Sequence, residues 1–320
     1  MTEWKVLLVG IGNFGRWWYQ ILQARPDLKV VVVDPDPTLI SRLERHEPFY
    51  PSFEQALVYE KPDFVLNCTP PAVHTRINHA AFDRHIPVLC EKPISEDYGE
   101  ACEIVGRSVR EGHLFMIAEN YRRAPAMRKL RQLIEAGEVG EVSALYITFA
   151  KEFYEDKAYL LSMPHPLLQD VAIHHLDAVR YIVGCEAQRL FAWNFNPRFS
   201  RFRGYAAVNI QLEMVNGVPV TYCGSLQARG KETDWLGAWR VEGTQGVLYL
   251  DENLQLSLSG KMVPFVNSGK SGQELVLDDF LQALETGQPP ETLAADYLKT
   301  QALVHHAIQA SQSGKVVDVR

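Results

Sequence analysis

The sequence has few cysteines, no net positive charge and no long apolar run, and each absence excludes a class of protein. Its five cysteines are odd in number, widely spaced and never arranged as C-x-x-C, which fits reduced thiols better than a disulfide framework. The formal net charge of −7 argues against a general affinity for nucleic acid, because neutralising phosphates requires a basic surface. No segment approaches the roughly 20 apolar residues of a membrane span, and the opening apolar run is too short for a signal peptide. We therefore expect a cytoplasmic protein with neither a nucleic-acid nor a membrane partner.

The chain also lacks internal repeats and low-complexity segments, and its 320 residues exceed what one hydrophobic core usually supports. Two domains are therefore expected. Over residues 1–122, short β-branched runs alternate with amphipathic segments, which is typical of an α/β fold with a doubly wound parallel sheet. Strands are predicted at 5–10, 29–34, 63–68, 87–91 and 114–120, and helices near 14–25, 38–46, 52–59, 72–84 and 96–112.

Residues 123–320 have a different pattern, with longer alternating strands and hairpin signals. Asn216-Gly217 lies between two strand-like runs, and the stretch 241–258 has the pattern of a tight meander. Together these features predict an α+β second domain built on an antiparallel sheet. Its helices are predicted near 124–136, 167–183, 273–286 and 292–313.

A glycine-rich stretch, GIGNFG at residues 10–15, matches G-x-G-x-x-G between a predicted strand and a predicted helix. In a dinucleotide-binding turn the first glycine makes the tight bend, the second admits the pyrophosphate, and the third lets the helix pack on the sheet. The phosphates bind the helix N-terminus, where free N–H groups and the helix dipole favour negative charge. A glycine turn without a ligand is the alternative. The cofactor-binding candidates here are Gly10, Gly12, Asn13, Phe14 and Gly15.

An aspartate at the end of the second predicted strand, Asp34, lies 19 positions after Gly15. A dinucleotide fold places there the acidic residue that hydrogen-bonds the adenine ribose. Asp36 adds a second negative charge, which would repel the 2′-phosphate of NADP. Arg42 and Arg45 lie one to two turns into the next predicted helix. NAD is therefore expected in preference to NADP.

The predicted strand at 87–91 runs directly into Lys92 and Pro93. Proline lacks an N–H and cannot extend a parallel ladder, so Pro93 ends the strand, and the bond before it is one that can adopt the cis form. Ligands bind outside the carboxyl ends of strands in doubly wound sheets, which makes Lys92 a candidate site residue. An ordinary strand end with an exposed ion pair is the alternative.

One predicted helix of the second domain carries Asp170, His174 and Asp177 at i, i+4 and i+7. At 3.6 residues per turn these three share one face, while His175 points almost to the opposite side. A histidine beside a carboxylate is the usual arrangement of a general base or acid, because the carboxylate fixes the tautomer and stabilises the imidazolium. Two alternatives stay open: a divalent-metal site that includes His165, and a solvated helix face.

Together these motifs resemble the Gfo/Idh/MocA oxidoreductases, a family named for glucose–fructose oxidoreductase and inositol dehydrogenase. The resemblance covers nearly the whole chain, and it rests on two unrelated signals that this family pairs, the Lys-Pro strand end and the Asp/His helix. The matching stretches are GIGNFG (10–15), NCTPPAVH (67–74), EKP (91–93), AENYRR (118–123), D-x-x-x-H-x-x-D (170–177) and WRVEGTQG (239–246).

The resemblance implies a Rossmann domain and an α+β domain with a large, mainly antiparallel open sheet, which relatives often use for homodimer or homotetramer contacts. It implies an NAD(P)-dependent oxidoreductase that acts on a small-molecule substrate, a sugar, polyol or related carbonyl compound, without a metal. The implied catalytic set is Lys92, Asp170 and His174. The implied cofactor side adds Thr69, Pro70, His74, Glu91 and Asn120, with Glu91 facing the nicotinamide ribose.

Some features depart from the family pattern or leave the function open. Ala172 stands where many members have glycine, and Leu167-Leu168-Gln169 replaces small residues, so the substrate pocket is expected to differ in shape. An NAD-binding regulator of the same fold is the alternative function, although a regulator needs no base beside a lysine. Five further residues are candidate substrate contacts and are as readily explained by packing: Arg122, Tyr154, Tyr159, His165 and Trp235.

Overall fold

The structure is a computed structural model that describes residues 3–44, 46–153, 158–267 and 269–319. Contacts divide the chain into two units. The first contains the residues up to Glu119 together with Ser271–Leu298, and the second contains Asn120–Lys270 together with the residues from Lys299 onward. The sequence pattern instead indicated one boundary, after residue 122. All five cysteines are free.

The described residues form the following strands and α-helices, some of which the sequence patterns did not predict. The strands are β1 (Trp4–Val9), β2 (Leu28–Val33), β3 (Phe49–Tyr50), β4 (Phe64–Asn67), β5 (Val88–Cys90), β6 (Phe115–Ile117), β7 (Val142–Ala150), β8 (Ala187–Phe195), β9 (Ala207–Met214), β10 (Pro219–Ser225), β11 (Ala238–Gly243), β12 (Val247–Leu250), β13 (Leu256–Leu258), β14 (Lys261–Met262) and β15 (Val317–Asp318). The α-helices are α1 (Asn13–Gln23), α2 (Phe53–Tyr59), α3 (Pro71–Phe82), α4 (Tyr98–Glu111), α5 (Pro125–Glu135), α6 (Ala158–Ser162), α7 (Ile173–Val183), α8 (Gly272–Thr286) and α9 (Ala294–Ser313).

The first unit is built on a parallel sheet with the strand order β3-β2-β1-β4-β5-β6. Every neighbouring pair in this sheet is parallel. Strands β4 and β5 are buried along their whole length, as expected because a parallel sheet is covered on both faces. The predicted doubly wound Rossmann sheet is confirmed.

Helix α8 belongs to the first unit although strands β7 to β14 of the second unit precede it in the chain. Its Val276 and Phe280 are fully buried in the core that also contains Trp18 of α1. The Phe280 ring lies against Phe64 of β4, with the ring centroids 5.2 Å apart. The amphipathic pattern of α8 predicts a helix, but it does not indicate which sheet the apolar face covers. The sequence therefore could not show that α8 packs in the first unit.

The helix predicted near 38–46 is a shorter 3₁₀ segment, Pro37–Arg42. Asp36 caps it, accepting a hydrogen bond from the Thr38 backbone N–H at 2.9 Å. None of its residues is buried, and a short helix without a buried face is only marginally stable in water, which explains its early end. Arg45 lies outside the described residues.

The second unit contains a mostly antiparallel sheet in the order β14-β13-β12-β11-β7-β10-β9-β8-β15. Its parallel pair is β7 with β10. The predicted hairpin at Asn216-Gly217 joins β9 to β10, and Gly217 has a positive φ of 83°, which glycine adopts without strain. The α+β fold of this unit is confirmed.

The helix predicted at 167–183 begins with a π-helical segment, Leu167–Ala172, and continues as α7. A π-helix has more residues per turn than an α-helix, so the 3.6-residue spacing does not apply between Asp170 and His174. This corrects the geometry that the sequence analysis assumed for the Asp/His face. None of the described helices combines the length and apolarity that crossing a bilayer demands.

Candidate functional site

The parallel sheet of the first unit brings most first-unit candidates to one edge. Because its strands run in the same direction, the residues that follow each strand lie at the same carboxyl edge. Gly10 follows β1, Asp34 follows β2, Thr69 comes two residues after β4, and Glu91 and Lys92 follow β5. Residues far apart in sequence therefore converge where a doubly wound sheet binds its ligand.

The glycine turn has the steric features of a dinucleotide-binding loop. Gly10 has a φ of 87°, and a Cβ there would lie 2.8 Å from the Cys68 carbonyl oxygen. A Cβ on Gly15 would overlap the Gly10 carbonyl oxygen, so this position must be glycine for α1 to pack. A Cβ on Gly12 would meet nothing within 4 Å, so the backbone there is open to an approaching ligand.

The N-terminus of α1 is suited to an anion. Gly12 occupies the N-cap position without a side-chain cap, and the first turn carries no acidic residue. Its backbone N–H groups and the positive end of the helix dipole therefore favour a phosphate. Asn13 and Phe14 are both exposed beside this turn, Phe14 by 45%.

Asp34 is buried and fixes the glycine turn. Its Oδ2 accepts the Ile11 backbone N–H at 2.9 Å, and its Oδ1 accepts the Asp36 backbone N–H at 3.0 Å. A carboxylate offers about four acceptor positions, so capacity for ribose hydroxyls remains. Asp36 is exposed, and its hydrogen bonds to Thr38 hold the pKa of its carboxyl below the usual value. The two aspartates therefore place negative charge near the end of β2.

His74, a predicted residue of the cofactor side, is fully buried. Its Nδ1 lies 2.7 Å from the Pro93 carbonyl oxygen and its Nε2 lies 2.8 Å from that of Thr69. Burial lowers the pKa of His74, while the two carbonyl contacts oppose that shift. The side chain joins the loops that follow β4 and β5.

A buried amide network supports the same loop. Asn67, at the end of β4, accepts the Thr69 hydroxyl hydrogen bond at 2.7 Å. Its amide nitrogen donates to the Asn78 side chain at 2.8 Å and to the His74 carbonyl at 3.2 Å. Thr69 is half-buried and Pro70 is exposed at this loop. The sequence analysis missed Asn67 and Asn78, because asparagine within an apolar strand or helix does not by itself indicate a partner.

Glu91 points into the first unit. Its Oε1 accepts the indole N–H of Trp18 at 2.6 Å, and its Oε2 accepts the Lys92 backbone N–H at 3.2 Å. Both carboxylate oxygens therefore have donors within the protein, and the role of Glu91 toward the nicotinamide ribose stays a prediction. Lys92 is half-buried, and the Lys92–Pro93 bond is cis.

Arg122, a predicted substrate contact, is buried in the second unit. Its Nε and Nη2 donate to the two oxygens of Asp177 at 2.6 and 2.5 Å. Thr300 donates to Asp177 as well, at 2.9 Å. A buried carboxylate requires such partners, and a bidentate arginine supplies both charge and geometry. The Asp177 carboxylate therefore bonds to protein groups that hold α7 in place, and it is not exposed to a ligand.

His174 and His175 are both buried on α7, and both lie near the Tyr121 ring. The His174 imidazole stacks on the Tyr121 ring, with centroids 4.2 Å apart and planes 9° apart. It is 7% exposed. Tyr121 was missed as a neighbour of this histidine, because it lies 53 positions earlier in the chain. Stacking fixes the plane of the ring while leaving its nitrogens to other partners.

His175 is fully buried and held at both nitrogens. Its Nε2 lies 2.9 Å from the Trp235 carbonyl oxygen, which can only accept, so Nε2 carries the proton. Its Nδ1 then accepts from the Tyr222 hydroxyl, 3.0 Å away. Burial raises the pKa of Tyr222 well above its usual value, so that hydroxyl keeps its proton. His175 is therefore a packing residue.

The remaining candidates occupy varied positions in the second unit. His165 is buried, its Nδ1 lies 3.0 Å from the Asn194 amide nitrogen, and burial lowers its pKa. Trp235 is 42% exposed and Tyr159 is 55% exposed, so both have surface free for a ligand. Asn120 and Asp170 are half-buried, and Tyr154 lies outside the described residues. Within the described ranges, no group of three or more histidine, cysteine, aspartate or glutamate side chains is arranged to hold a metal ion.

Comparison with known proteins matches both units. Residues 4–119 match the NAD-binding Rossmann fold of the GFO/IDH/MocA oxidoreductases, and residues 127–249 match the GFO/IDH/MocA C-terminal domain. D-apiose dehydrogenase from Rhizobium rhizogenes is 25% identical, over 100% of this chain and 98% of that protein. An oxidoreductase from Agrobacterium radiobacter, solved in complex with NAD+, L-tartaric acid and magnesium, is 25% identical, with a TM-score of 0.91 over 99% of both chains. A myo-inositol dehydrogenase structure from Corynebacterium glutamicum, 21% identical, shares the fold with a TM-score of 0.84 over 100% of this chain and 99% of that chain.

Proposed function

The chain belongs to the Gfo/Idh/MocA oxidoreductase family, and from that premise we propose that it is an NAD-dependent dehydrogenase of a sugar, a polyol or a related hydroxy or carbonyl compound. One observation carries the proposal. At the carboxyl edge of the parallel sheet, an open helix N-terminus at Gly12 and the half-buried Lys92 follow strands of the same sheet. D-apiose dehydrogenase supports the substrate class.

The residues at this edge fit a dinucleotide. The N–H groups of the first turn of α1 would bind the pyrophosphate, and the carboxylate of Asp34 would accept hydrogen bonds from the adenine ribose. Bound nicotinamide supplies the hydride acceptor in oxidation and the hydride donor in reduction. The protein contributes binding, orientation and charge.

Each reacting group has a distinct task in this proposal. In the oxidative direction, neutral His174 accepts the proton of the substrate hydroxyl, and Asp170 orients the imidazole. The ammonium of Lys92 hydrogen-bonds the substrate oxygen and stabilises the negative charge that develops on it. In the reductive direction His174 returns the proton. Tyr121 supports the proposal, because its stacked ring holds the His174 imidazole in one plane.

The proposal is tested by screening sugars, inositols and sugar acids for reduction of NAD, and carbonyl compounds for oxidation of NADH. We expect at least one compound to be turned over, and turnover to survive treatment with a chelator. Tight NAD binding without turnover of any compound would favour the alternative function, an NAD-binding regulator of the same fold. Activity that chelation abolishes and a divalent ion restores would favour the metal-dependent alternative.

Cofactor choice depends on Asp34, and Asp34→Ser is expected to narrow the preference for NAD over NADP by about tenfold. The aspartate charge repels the 2′-phosphate, and removing one unit charge at close range near a surface is worth about 1–4 kcal/mol. Titration of both cofactors with both proteins gives the ratio of their dissociation constants. Losing the hydrogen bond to Ile11 could disturb the glycine turn, but this would weaken the binding of both cofactors alike and leave the ratio unchanged. A wild-type preference for NADP would contradict our interpretation of Asp34.

We also propose that the protein forms a homodimer or homotetramer through the outer face of the second sheet. Neighbouring strands align Tyr249, Arg240 and Tyr146 on that face, and both tyrosines are more than 40% exposed. Trp193 on β8 is 65% exposed. Exposed aromatic residues on a broad sheet are typical of an interface between subunits.

Introducing a charge into this face is expected to dissociate the oligomer. Trp193→Glu should reduce the mass measured in solution to that of a single chain, because its cross-strand neighbour is the neutral Asn209 and an unpaired charge in a buried interface is strongly unfavourable. Val58→Glu on α2, which is also exposed, is the matched control and should leave the mass unchanged. A wild-type protein that is monomeric at micromolar concentration would contradict the proposal.

A further inference from the structure

Trp18 makes a hydrogen bond that its position in the sequence does not suggest. It lies on α1, the helix that begins at the glycine turn, and its ring is fully buried in the apolar core of the first unit. Its indole N–H donates to Glu91 Oε1 at 2.6 Å. This distance is short for an N–H···O bond, as expected when the acceptor is an ionised carboxylate.

The Cys68 thiol lies close enough to Glu91 to be affected by it. Burial, together with the negative charge of Glu91, raises the pKa of the Cys68 thiol well above its usual range. Glu91 is only 7% exposed, and a carboxylate in such a place requires donors from the protein. Trp18 is one of these donors, and it reaches Glu91 from a different element of the fold.

Hydrogen bonds of Glu91 also fix the position of the next residue, Lys92. The main-chain N–H of Glu91 donates to the Asn67 carbonyl at 2.9 Å, which fixes the backbone to β4. Its Oε2 accepts the Lys92 backbone N–H at 3.2 Å. The carboxylate is thus held by α1 on one oxygen and holds the first atom of Lys92 with the other. A shift of the carboxylate would move the start of the lysine side chain.

We propose that Trp18 is a positioning residue for Lys92, acting through the carboxylate of Glu91. It links the helix at the phosphate-binding turn to the lysine at the end of β5. The inference rests on the proposed function insofar as Lys92 acts on the substrate. The hydrogen bond itself can be tested without any substrate.

The first test measures the activity of a variant that lacks the indole N–H. Trp18→Phe is expected to lower kcat about 10- to 100-fold, because misplacing a reacting group by about 1 Å costs rate of this order. The dissociation constant for NAD should change less than twofold, since the residues of the glycine turn are untouched. Trp17→Phe is the matched control. Trp17 is the adjacent residue of α1, is 40% exposed, and should tolerate the change without loss of kcat.

A double-mutant cycle separates positioning from a general loss of packing. If Trp18 acts through Glu91, Trp18→Phe should have little further effect on kcat in a Glu91→Leu background, because leucine offers no acceptor to the indole N–H. Equal losses in both backgrounds would overturn the inference. So would an unchanged kcat in Trp18→Phe. Should Trp18→Phe fold poorly, incorporation of benzothienylalanine at Trp18 keeps the shape of the indole and removes only its donor.

A test without activity observes the indole proton by NMR in the wild-type protein with NAD bound. The Trp18 resonance, identified by its loss in Trp18→Phe, should lie downfield and exchange slowly with solvent. In Glu91→Gln it should move upfield, because a neutral amide is a weaker acceptor than a carboxylate. A resonance that Glu91→Gln leaves unmoved would overturn the hydrogen bond. If no compound is turned over by the wild-type protein, the proposed function fails, while this measurement still tests the hydrogen bond between Trp18 and Glu91.

Discussion

Lys92→Met is expected to lower turnover about 10³-fold while leaving the affinity for NAD nearly unchanged. Methionine keeps an unbranched stem of similar length and removes the ammonium, which in our proposal stabilises negative charge on the substrate oxygen. Removing one such donor from an enclosed site typically costs 10²–10³ in rate. The measurement is kcat at saturating NAD and substrate, with NAD affinity determined separately by titration.

The matched control is Lys29→Met. Lys29 lies on β2 and forms an exposed ion pair with Glu3, and exposed pairs of this kind contribute roughly 0–1 kcal/mol. Its replacement should leave kcat unchanged. If Lys92→Met behaves like this control, Lys92 is an ordinary charged residue at a strand end and has no role in the reaction.

His174→Ala and His175→Ala are expected to affect different properties. His174→Ala should lower kcat about 10²- to 10⁴-fold, the range for losing a general base, without weakening NAD binding. His175→Ala removes a fully buried ring that is hydrogen-bonded to Tyr222 and to the Trp235 carbonyl. It should lower the free energy of unfolding by about 2–4 kcal/mol and leave most activity in the folded molecules.

The pH dependence supplies a further distinction between these histidines. Only a neutral His174 can accept the hydroxyl proton, so kcat/KM for oxidation should rise with pH as the coupled groups of the site lose a proton. In His174→Ala this rise should be absent from the residual activity, whereas His175→Ala should keep it. A profile that is unchanged in His174→Ala would remove His174 from the proton transfer.

Hydrophobic patterning predicted the Rossmann sheet because each buried strand is a short apolar run bounded by turns. It also placed Gly10, Asp34 and Lys92 at the carboxyl edge, since parallel strands share that edge. The structure confirmed the parallel sheet and the antiparallel second unit. These features follow from local pattern together with one rule of topology, and for that reason they could be predicted.

The partners of individual buried side chains could not be predicted, because they come from distant parts of the chain. Arg122 pairs with Asp177 and Glu91 bonds to Trp18 across long sequence separations. The orientation of His74 toward two carbonyl oxygens depends on loops whose shape the sequence does not specify. The π-helical start of the Asp/His helix was missed for another reason, since a spacing argument at 3.6 residues per turn assumes an α-helix throughout.

The most direct test of the proposed reaction follows a hydride by mass. The protein is first treated with a chelator. It is then incubated with a mixture of carbonyl compounds derived from sugars and inositols, and with NADH that carries deuterium at the position of nicotinamide C4 from which hydride is transferred. We expect one compound to be reduced and to gain a single deuterium on the carbon that becomes the new alcohol, with no such product formed by Lys92→Met over the same time. If the protein binds NADH but no compound gains deuterium, the protein is not a dehydrogenase of this substrate class.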